Sequence, residues 1–486
     1  MIPAGFSPDD CYREIQEELS TPRFAGVPLG PTLSDALVAG LYNSPEQWVG
    51  GFALSDVLRR WRYRIRPYRG AAPPLIPQPR IFVTWSTVGV RNRALMMPVI
   101  QQLGPQTSYV IACEAAMLSG LPPGFQGTGW REAMYYDVAA WRAELAPLWP
   151  ALRGKLLRLA ARYRLSAKLR RHLLLNLLLS SQYVCGCLEL LERARPAAIV
   201  VDYDRHRLWS ALILAARRQG IPTFTLVHGV VGDQALGYAP FLADQAFCWG
   251  EIDRGRLLAA GVEPSRLLIT GCPRLTTTLS ATREQSLAKL GWGGAERVVL
   301  LATAPFPRPQ RLQLAELFCS TVEALSGVVG VVRLHASEQL DAYRPVVRRH
   351  PAVRFLPNGA WTVDEAIAAA DVVVVHSSGF GSDALTKGRP VIVLDAIDVP
   401  LGHGADLHRL AHCPKPCSSG ELAAAIRSLV FDEAARRQAL EAAARFARMF
   451  CAAAGQQAAA NIVRAVLAGA VPDGCSVPSP SGRGLG

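Results

Sequence analysis

The stretch DVVVVHSSGFGSDALTKGRPVIVLD, residues 371–395, constrains the fold more than any other part of the chain. Two short, continuous apolar runs flank a segment rich in Gly and Ser that leads into a helical pattern. A strand that is apolar at every position is buried on both faces, which is typical of a parallel sheet covered by helices. The stretch therefore predicts a strand, a tight turn, a helix and a second parallel strand.

The same alternation of apolar strands and helices forms two series along the chain. The first series is RIFVTWST (80–87), SYVIAC (108–113), AAIVVD (197–202), PTFTLVHG (222–229) and DQAFCWG (244–250). The second is RLLITG (266–271), RVVLLAT (297–303), VVGVVRLH (328–335), VRFL (353–356), DVVVV (371–375) and PVIVLD (390–395). This pattern predicts two doubly wound α/β domains, with ligands bound beyond the carboxyl ends of the strands.

The segments outside these two series set the predicted limits of the domains. SPDDCYREIQEEL reads as a helix with Ser7 or Asp9 as its N-cap. The predicted limits are an N-terminal helical extension with a Pro-rich linker at 1–78, a first α/β domain at 79–250 with a helical insertion at 131–195, a second α/β domain at 251–431, helices at 432–470 and a disordered tail at 471–486.

Composition gives weaker constraints on the compartment and partners. The formal charge is +13, from 52 Lys and Arg against 39 Asp and Glu, which fits phosphate or anionic lipid contact but also a bias towards arginine. Eleven cysteines without framework spacing and no secretory signal predict reduced thiols and a cytoplasmic protein. The longest apolar stretch, around Leu173–Leu179, is too short and too polar for a membrane span.

The segment 153–171, RGKLLRLAARYRLSAKLRR, carries basic residues among Leu, Ala and Tyr, with no acidic residue. It predicts a basic amphipathic helix, for which contact with an anionic membrane surface is favoured over a solvated face packed on the domain. The expected location is therefore cytoplasmic or peripheral at the inner face of the membrane, and no nucleic-acid partner is predicted.

Small and polar residues follow the strands of the second domain. Ser377, Ser378, Gly379 and Gly381 lie between a strand and a helix, where free helix N–H groups make a phosphate site and glycines allow close approach. A tight turn with serine caps is the alternative interpretation. His335 ends another strand and could donate to a phosphate, helped by Arg333 or Arg274.

Polar residues also follow the strands of the first domain. The candidates are Ser86, Arg91 and Asn92 on the acceptor side, and Asp202, Asp204, His228 and Asp233 for proton transfer. Two carboxylates one residue apart suit a divalent cation, but ordinary strand-end polarity is the favoured explanation and no metal site is predicted. The imidazole of His228 suits a general base, with a hydrogen-bonded structural histidine as the alternative.

In their order, VHG, YAPFLADQAFCWG, LLITGCPRL, RLHASE and DVVVVHSSGFGSDALTKGRPVIVLD resemble the GT-B glycosyltransferases of bacterial surface-carbohydrate assembly. The most similar group includes capsule Kdo-transferases, polysialyltransferases and CDP-glycerol glycerophosphotransferases. The resemblance covers about residues 80–430 and is strongest over 222–395. It implies two Rossmann-like domains facing across a cleft, with the nucleotide mainly on the second domain and the helices of 432–470 returning to the first.

The resemblance also implies roles for individual residues. His335, Ser377 and Ser378 are expected to contact the donor phosphate, and Asp383 the nucleotide ribose. The family usually has His-Pro at the first position and Glu at the last, whereas this chain has Ala336 after the histidine and the shorter Asp383. The first domain would supply the acceptor side and the base. The resemblance implies inversion without a metal or cofactor, the nucleotide sugar being a co-substrate.

The predicted function is therefore a glycosyltransferase that moves a sugar from a nucleotide donor to a glycan or lipid-linked acceptor in surface polysaccharide biosynthesis. Polyol-phosphate transfer of the CDP-glycerol type is one alternative on the same fold. UDP-N-acetylglucosamine 2-epimerisation is another, although the His-x-Glu-Ala-Gly-x-Arg stretch of those epimerases is not found in this sequence. A non-catalytic binding protein is the last, because function depends on the site and not on the fold.

Overall fold

The computed structural model describes the greater part of the chain, and its ranges are 7–42, 66–67, 80–85, 90–232, 238, 241–293, 297–357 and 359–470. Ser86, Asp233, most of the Pro-rich linker and the 471–486 tail lie outside these residues. The chain divides into two compact units. The first is Met1–Trp249, Asp253–Arg274 and Gly455–Gly486, and the second is Gly250–Ile252 and Leu275–Ala454.

The first unit is built on a seven-stranded parallel sheet. Its strands are β2 Ile81–Trp85, β3 Ser108–Ala112, β4 Gly127–Gly129, β6 Ala198–Val201, β7 Thr223–Leu226, β8 Gln245–Cys248 and β9 Leu267–Ile269; the short strands β1 Arg66–Pro67 and β5 Tyr135–Tyr136 pair separately. The order β4-β3-β2-β6-β7-β8-β9 places the switch point of the winding between β2 and β6.

The helices associated with the first unit up to this point are α1 Pro8–Glu18, α2 Ser34–Tyr42, α3 Val90–Leu103, α4 Trp130–Ala133, α5 Val138–Arg162, α6 Ala167–Ala194, α7 Arg207–Arg218 and α8 Glu251–Ala259. Ser7 is the N-cap of α1, because its hydroxyl accepts the Asp10 N–H at 3.0 Å. The Asp10 carboxylate accepts the Ser7 N–H at 3.2 Å in return, which completes a capping box. The buried Arg205 guanidinium then donates to Tyr12 and Gln16 and ties α1 to the unit.

Helix α6 (167–194) is the one helix among the described residues that is long and apolar enough to cross a membrane. However, 67% of its apolar window is buried, and it packs on α7 and α5. A mostly buried helix in the core of a globular domain has the same length and apolar composition.

The second unit is built on a five-stranded parallel sheet of order β12-β11-β10-β13-β14. Its strands are β10 Arg297–Ala302, β11 Val328–Arg333, β12 Arg354–Leu356, β13 Val372–Val375 and β14 Val391–Val393. Its helices are α9 Arg283–Ala288, α10 Arg308–Glu323, α11 Arg344–Arg349, α12 Val363–Ala369, α13 Gly379–Thr386, α14 His403–Ala411, α15 Ser419–Phe431 and α16 Glu433–Phe450. The switch point lies between β10 and β13, beside the serine turn.

The two sheets confirm the prediction of two doubly wound α/β domains. All of β13 is buried, as the continuous apolar run DVVVV predicts. Valine and leucine side chains of β10, β11 and β13 form the centre of the second core, and α10 and α15 contribute to it. A strand apolar on both faces is stable only between two layers of helices, so these runs determine the architecture.

The last two helices of the chain belong to different units. Helix α16 packs on α13, α14 and α15 of the second unit. Helix α17, Gly455–Ala470, packs on α3 of the first unit, and the Asn461 side chain donates to the Thr270 carbonyl at 3.2 Å. Of the segment 432–470, therefore, only the second helix belongs to the first unit.

The structure corrects the predicted boundary between the domains. The strand RLLITG was assigned to the second domain, but β9 pairs with β8 in the first sheet, with Cys248 opposite Ile269. An apolar strand after a helix can extend one sheet or begin another, and periodicity does not distinguish the two cases. Arg274, predicted to lie with the donor-binding residues of the second domain, therefore belongs to the first unit.

The basic segment 153–171 is not one helix, contrary to prediction. Helix α5 ends at Arg162, and Arg164 takes a left-handed backbone conformation with φ of 48°. The Ser166 hydroxyl then accepts the Leu169 N–H at 3.2 Å and caps α6. A serine cap two residues beyond a left-handed turn ends one helix and begins the next.

Candidate functional site

The serine turn lies at the carboxyl end of β13. Ser378 is the N-cap of α13, because its hydroxyl accepts the Phe380 N–H at 3.2 Å. The cap agrees with the interpretation of a tight turn with serine caps, whereas the phosphate site stays a prediction. The capped helix begins at the carboxyl edge of the sheet, where open α/β sheets bind ligands. The first N–H groups of α13 are at this end of the helix, and such groups have no acceptor within the helix itself.

His376 supports this turn, a role that the sequence analysis did not predict. Its ring is buried, with nitrogens at 2.8 Å from the Leu394 carbonyl oxygen and 3.0 Å from that of Val399. The Phe306 ring packs edge-on against it at 5.0 Å between centroids. His376 thus joins the end of β13 to the segment after β14 and acts in the framework of the site.

Arg333 reaches the start of α13 from the end of β11. Its guanidinium carbon lies 5.1 Å from the centre of the Phe380 ring, and it interacts electrostatically with Asp383. Burial lowers the pKa of the Arg333 guanidinium and the Asp383 carboxylate opposes that shift, but an arginine remains charged at neutral pH. The structure therefore brings together two residues that the sequence placed 50 positions apart.

His335 is held by a network after β11. Its N–H donates to the Thr303 hydroxyl at 2.9 Å and to the Glu338 carboxylate at 3.1 Å. Its Nδ1 accepts the Ser337 N–H at 3.2 Å, so the neutral ring carries its proton on Nε2. An imidazole in this tautomer can donate Nε2–H to an anion, as the prediction for His335 requires.

Glu338 is the buried centre of that network, and no sequence motif indicated a role for it. Its carboxylate accepts from Arg311 at 3.1 Å, from the Tyr343 hydroxyl at 3.0 Å and from the Thr303 hydroxyl. Burial and the Glu338 charge raise the pKa of Tyr343, so the phenol stays protonated and donates. The network joins β10, β11 and α10.

The spacing of the strands gives the extent of the candidate site. His335 follows β11 and Ser378 follows β13, and one strand, β10, separates them. At about 4.8 Å between neighbouring strands, the two ends lie roughly 10 Å apart. A nucleoside diphosphate can span that distance.

Gly381 does not face this site, contrary to prediction. A Cβ on Gly381 would lie 2.5 Å from Leu407 Cδ1 and 3.2 Å from a Val375 methyl group. The missing side chain therefore admits α14 against α13, inside the protein. Residues two positions apart on a helix face different sides. Gly379 and Gly381 therefore do not both face the site, although they are close in the sequence.

The two carboxylates of the first unit point to different partners. Asp202 accepts from the Thr84 hydroxyl at 3.4 Å, across the switch point between β2 and β6. Asp204 accepts the backbone N–H groups of Leu242 at 2.7 Å and Ala243 at 3.4 Å. Burial raises the pKa of Asp204, and these amides oppose it. Asp204 therefore holds a loop and is not positioned as the catalytic group that was predicted.

Cys113, His206 and Asp35 also lie near the switch point of the first sheet. The thiol of Cys113 lies 3.9 Å from Nε2 of His206. Burial lowers the pKa of His206, while Asp35 and Asp202 oppose that shift. Burial raises the pKa of Cys113 to about 12, which keeps it a thiol at neutral pH. Asp35 comes from α2, which is too distant in sequence for any motif to associate it with β6.

His228 is half-buried between two tyrosine rings. The centroid of its ring lies 4.5 Å from that of Tyr203 and 5.1 Å from that of Tyr238. The Tyr238 hydroxyl accepts the Gly229 N–H at 3.0 Å and so fixes the turn that follows His228. This places His228 at the carboxyl edge of the first sheet, as predicted.

The other predicted residues of the first unit are placed only in part. Arg91 and Asn92 lie in α3, and their side chains are outside the described part of the chain, as are Ser86 and Asp233. Arg274 stacks over the Trp249 ring at 4.8 Å, and the Trp249 indole donates to the Val227 carbonyl at 2.6 Å. Arg274 thus belongs to the first unit, whereas Arg333 belongs to the second.

Asp253, at the start of α8, gives the protein a predicted pH dependence. It is fully buried and accepts the Trp249 N–H at 3.2 Å. Burial raises its pKa to about 7, although the Trp249 and Val231 amides and Arg256 oppose that shift. A carboxyl whose pKa is raised by folding stabilises the folded protein at low pH, where the group is protonated. That stabilisation is lost as the pH rises through the pKa of the folded state.

The free energy of unfolding should therefore fall by roughly 2 kcal/mol between pH 5 and pH 7 through this one group. Asp253→Asn removes the titration and should flatten that part of the profile. Urea denaturation at several pH values measures both slopes. Equal slopes for wild type and variant would show that Asp253 ionises normally in the folded protein.

Among the residues that the structure describes, no group of three or more His, Cys, Asp or Glu side chains is placed to hold a metal ion. Asp202 and Asp204, the pair considered in the sequence, have the separate partners given above.

Comparison with known proteins identifies the fold. No family model and no curated protein matches the sequence. Solved structures do match it. A protein described as UDP-N-acetylglucosamine 2-epimerase, from Listeria monocytogenes, is 16% identical, with a TM-score of 0.50, over 81% of this chain and 96% of that one.

Two further structures agree. S. aureus MnaA, solved with UDP, is 14% identical over 79% of this chain and 95% of its own, with a TM-score of 0.50. A second UDP-N-acetylglucosamine 2-epimerase is 16% identical over 80% and 95%, also with a TM-score of 0.50. At such identities the likeness establishes the fold alone: the chain has the GT-B fold of two Rossmann-like units, as predicted.

Proposed function

We propose that the chain is an enzyme that acts on a nucleotide-activated sugar and holds its diphosphate at the carboxyl edge of the second sheet. The observation that carries the proposal is the arrangement of the α13 N-terminus, the Arg333 guanidinium and the His335 imidazole along one edge. Each of these groups can donate hydrogen bonds to phosphate oxygens, and a helix dipole favours negative charge at its N-terminus.

These donors suit the step in which the bond between sugar and diphosphate breaks. Negative charge then develops on the departing phosphate oxygen, and preorganised donors stabilise it. Asp383 lies beside Arg333 and can accept from a ribose hydroxyl, which is the role that the resemblance implies for it. Ser377 lies at the same turn and adds a hydroxyl donor.

The first unit offers groups for proton transfer. His228 and Asp202 both lie at the carboxyl edge of its sheet, and a base there can deprotonate a sugar or an acceptor. Asp204 is not included, since two backbone amides already bind its carboxylate.

The first candidate reaction is 2-epimerisation of a UDP-linked N-acetylated sugar. Two of the compared structures are described as UDP-N-acetylglucosamine 2-epimerases, and the third was solved with UDP. The second candidate is sugar transfer to a glycan or lipid-linked acceptor. It is favoured by the order of the sequence motifs and by the lack of the His-x-Glu-Ala-Gly-x-Arg stretch in this chain.

One assay tests the proposal and separates the two reactions. Purified protein is incubated with UDP-N-acetylglucosamine, with and without candidate acceptors, and the products are followed by NMR and mass spectrometry. An epimerase yields an isomer of equal mass that still carries UDP, whereas a transferase releases UDP only when an acceptor is present. Binding without either product would indicate a non-catalytic protein.

Binding is measured first, by thermal shift against UDP-, CMP-, GDP- and CDP-linked donors. A ligand at about 100 times its dissociation constant stabilises the folded state by roughly 2.7 kcal/mol, which is readily detected. If no nucleotide in this series shifts the transition, the proposal is wrong.

We also propose that the tip formed by the end of α5 and the start of α6 contacts an anionic membrane surface. The supporting observation is its charge: no acidic residue occurs between 145 and 188. Lys155 and Arg162 are partly neutralised by Glu18 and Glu14 of α1. The remaining exposed arginines of the tip are Arg153, Arg158, Arg164, Arg170 and Arg171.

The triple variant Arg158→Gln, Arg164→Gln, Arg170→Gln should bind vesicles containing phosphatidylglycerol at least about tenfold more weakly, because each basic residue near such a surface contributes about 1 kcal/mol. Co-sedimentation at two salt concentrations measures this. The matched control replaces the exposed Arg437, Arg445 and Arg448 of α16 with Gln. Equal binding by both triple variants, or no binding by wild type, would rule out this contact.

A further inference from the structure

A chain of hydrogen bonds joins a serine, a histidine and an aspartate behind the serine turn. The Ser382 hydroxyl of α13 lies 2.5 Å from Nε2 of His403, at the start of α14. Nδ1 of His403 lies 3.2 Å from the Asp406 carboxylate, which also accepts from Arg409 at 3.2 Å. Because a carboxylate only accepts, Nδ1 carries the proton, and Nε2 accepts from the serine hydroxyl.

The three residue types are those of a nucleophilic triad, but the burial of Ser382 excludes that chemistry. Its exposed fraction is 0%, and Asp406 is 2% exposed. A substrate cannot reach a hydroxyl that no solvent reaches. The hydrogen bonds from Ser382 through His403 to Asp406 therefore have a role other than nucleophilic catalysis. The residues packed around His403 indicate what that role is.

The glycines on either side of His403 lie so close to the preceding turn that neither leaves room for a side chain. A Cβ on Gly404 would lie 2.0 Å from the His376 carbonyl oxygen, and one on Gly402 would lie 2.8 Å from the Ser377 hydroxyl. The N-terminus of α14 thus contacts the turn that precedes α13. Apolar contact alone permits small sliding of two helices, whereas a buried directional hydrogen bond fixes their register.

We propose that His403, acting through Ser382, is a positioning residue that holds the serine turn in its phosphate-binding geometry. This inference rests on the proposed nucleotide-sugar site. His403 itself does not contact the ligand. It sets the place of Ser377, Ser378 and the first N–H groups of α13, which do.

The expected consequence is specific to the phosphate part of the ligand. His403→Ala leaves Ser382 and Asp406 in place but removes the link between α13 and α14. Affinity for UDP should fall at least about tenfold, since misplacement of donors by a fraction of an ångström weakens every phosphate contact. Affinity for uridine, which has no phosphate, should stay within about twofold of wild type.

Isothermal titration with UDP and uridine provides the two readouts. The control is His408→Ala on the same helix, where the ring nitrogen contacts the Cys413 carbonyl at 2.8 Å, away from α13. His408→Ala should bind both ligands as wild type does. His403→Gln, which keeps a polar amide near the position of Nε2, should recover part of the UDP affinity.

The outcomes separate the inference from the function on which it rests. If wild type binds UDP and His403→Ala binds it equally well, the positioning role is refuted and the proposed site stands. A parallel loss of UDP and uridine affinity refutes it too, because that pattern indicates general damage. If wild type binds neither UDP nor any other nucleotide diphosphate, both proposals fall. Should His403→Ala not fold, Ser382→Ala, which removes only the hydroxyl, is measured in its place against the same criteria.

Discussion

Arg333→Ala should reduce turnover of the nucleotide sugar by about 100- to 1000-fold, which is the usual cost of removing a donor that stabilises a developing oxyanion. Affinity for the free nucleotide diphosphate should also fall. Arg333 is the charged side chain that the structure places against the first turn of α13, with its guanidinium over the Phe380 ring. Arg333→Lys should recover little, because a lysine cannot reproduce the planar fork or the stacking.

Steady-state kinetics and titration with UDP measure the two effects. The matched control is Arg344→Ala, which removes a surface arginine of the same unit whose side chain is 65% exposed and pairs with Asp341. An exposed pair of this kind contributes at most about 1 kcal/mol to stability, so activity should be unchanged. Full activity in Arg333→Ala would show that the diphosphate does not bind at this edge.

Glu338→Ala should lower the free energy of unfolding by about 3–5 kcal/mol, which is typical when one partner of a buried ion pair is removed. Glu338 is 2% exposed, and its carboxylate accepts from Arg311, Tyr343 and Thr303. Without it, Arg311, Tyr343 and Thr303 each lose an acceptor in a largely buried network. Glu338→Gln should cost less, because the amide oxygen still accepts from some of them.

Urea denaturation followed by circular dichroism measures this loss of stability. The control is Glu441→Ala on the exposed face of α16, which should change the free energy of unfolding by less than about 0.5 kcal/mol. A loss of under about 1 kcal/mol for Glu338→Ala would contradict the buried network. Because the network also binds the His335 N–H, any folded Glu338 variant should show weaker binding of UDP.

The two effects differ in kind because the two residues serve the site differently. Arg333 contributes charge where a ligand is proposed to bind, so its loss should appear in catalysis. Glu338 fixes the loop that carries His335, so its loss should appear first in stability. A site on loops beyond strand ends needs both kinds of residue, since the strands position the backbone but leave the loop conformation undetermined.

Much of the fold could be predicted from the sequence, because burial leaves a periodic record in it. The run 372–375 is valine at every position, and each of these valines in β13 is buried. Ser7 is followed three residues later by an acidic residue that completes a capping box, and the helix begins where that pattern indicates. Ser378 likewise marks both a helix start and the end of a strand.

The placement of β9 could not be predicted in this way. The strand pairs with β8, so it extends the first sheet, whereas the apolar run alone is equally suited to starting the second. Hydrogen bonding between strands is the same in either sheet, and only the packing of the whole unit decides. Arg274, which follows β9 in the sequence, belongs to the first unit for the same reason.

By itself, the sequence determined the elements and the edge at which polar residues collect, because periodicity, caps and Gly-rich turns are local properties of the chain. Only the tertiary structure decided which of those residues meet. It placed Arg333 close enough to Asp383 for an electrostatic interaction, turned Gly381 towards Leu407 and linked Ser382 to His403. Each pair joins positions 21 to 50 residues apart, and such contacts depend on how helices pack on a sheet, which no local pattern encodes.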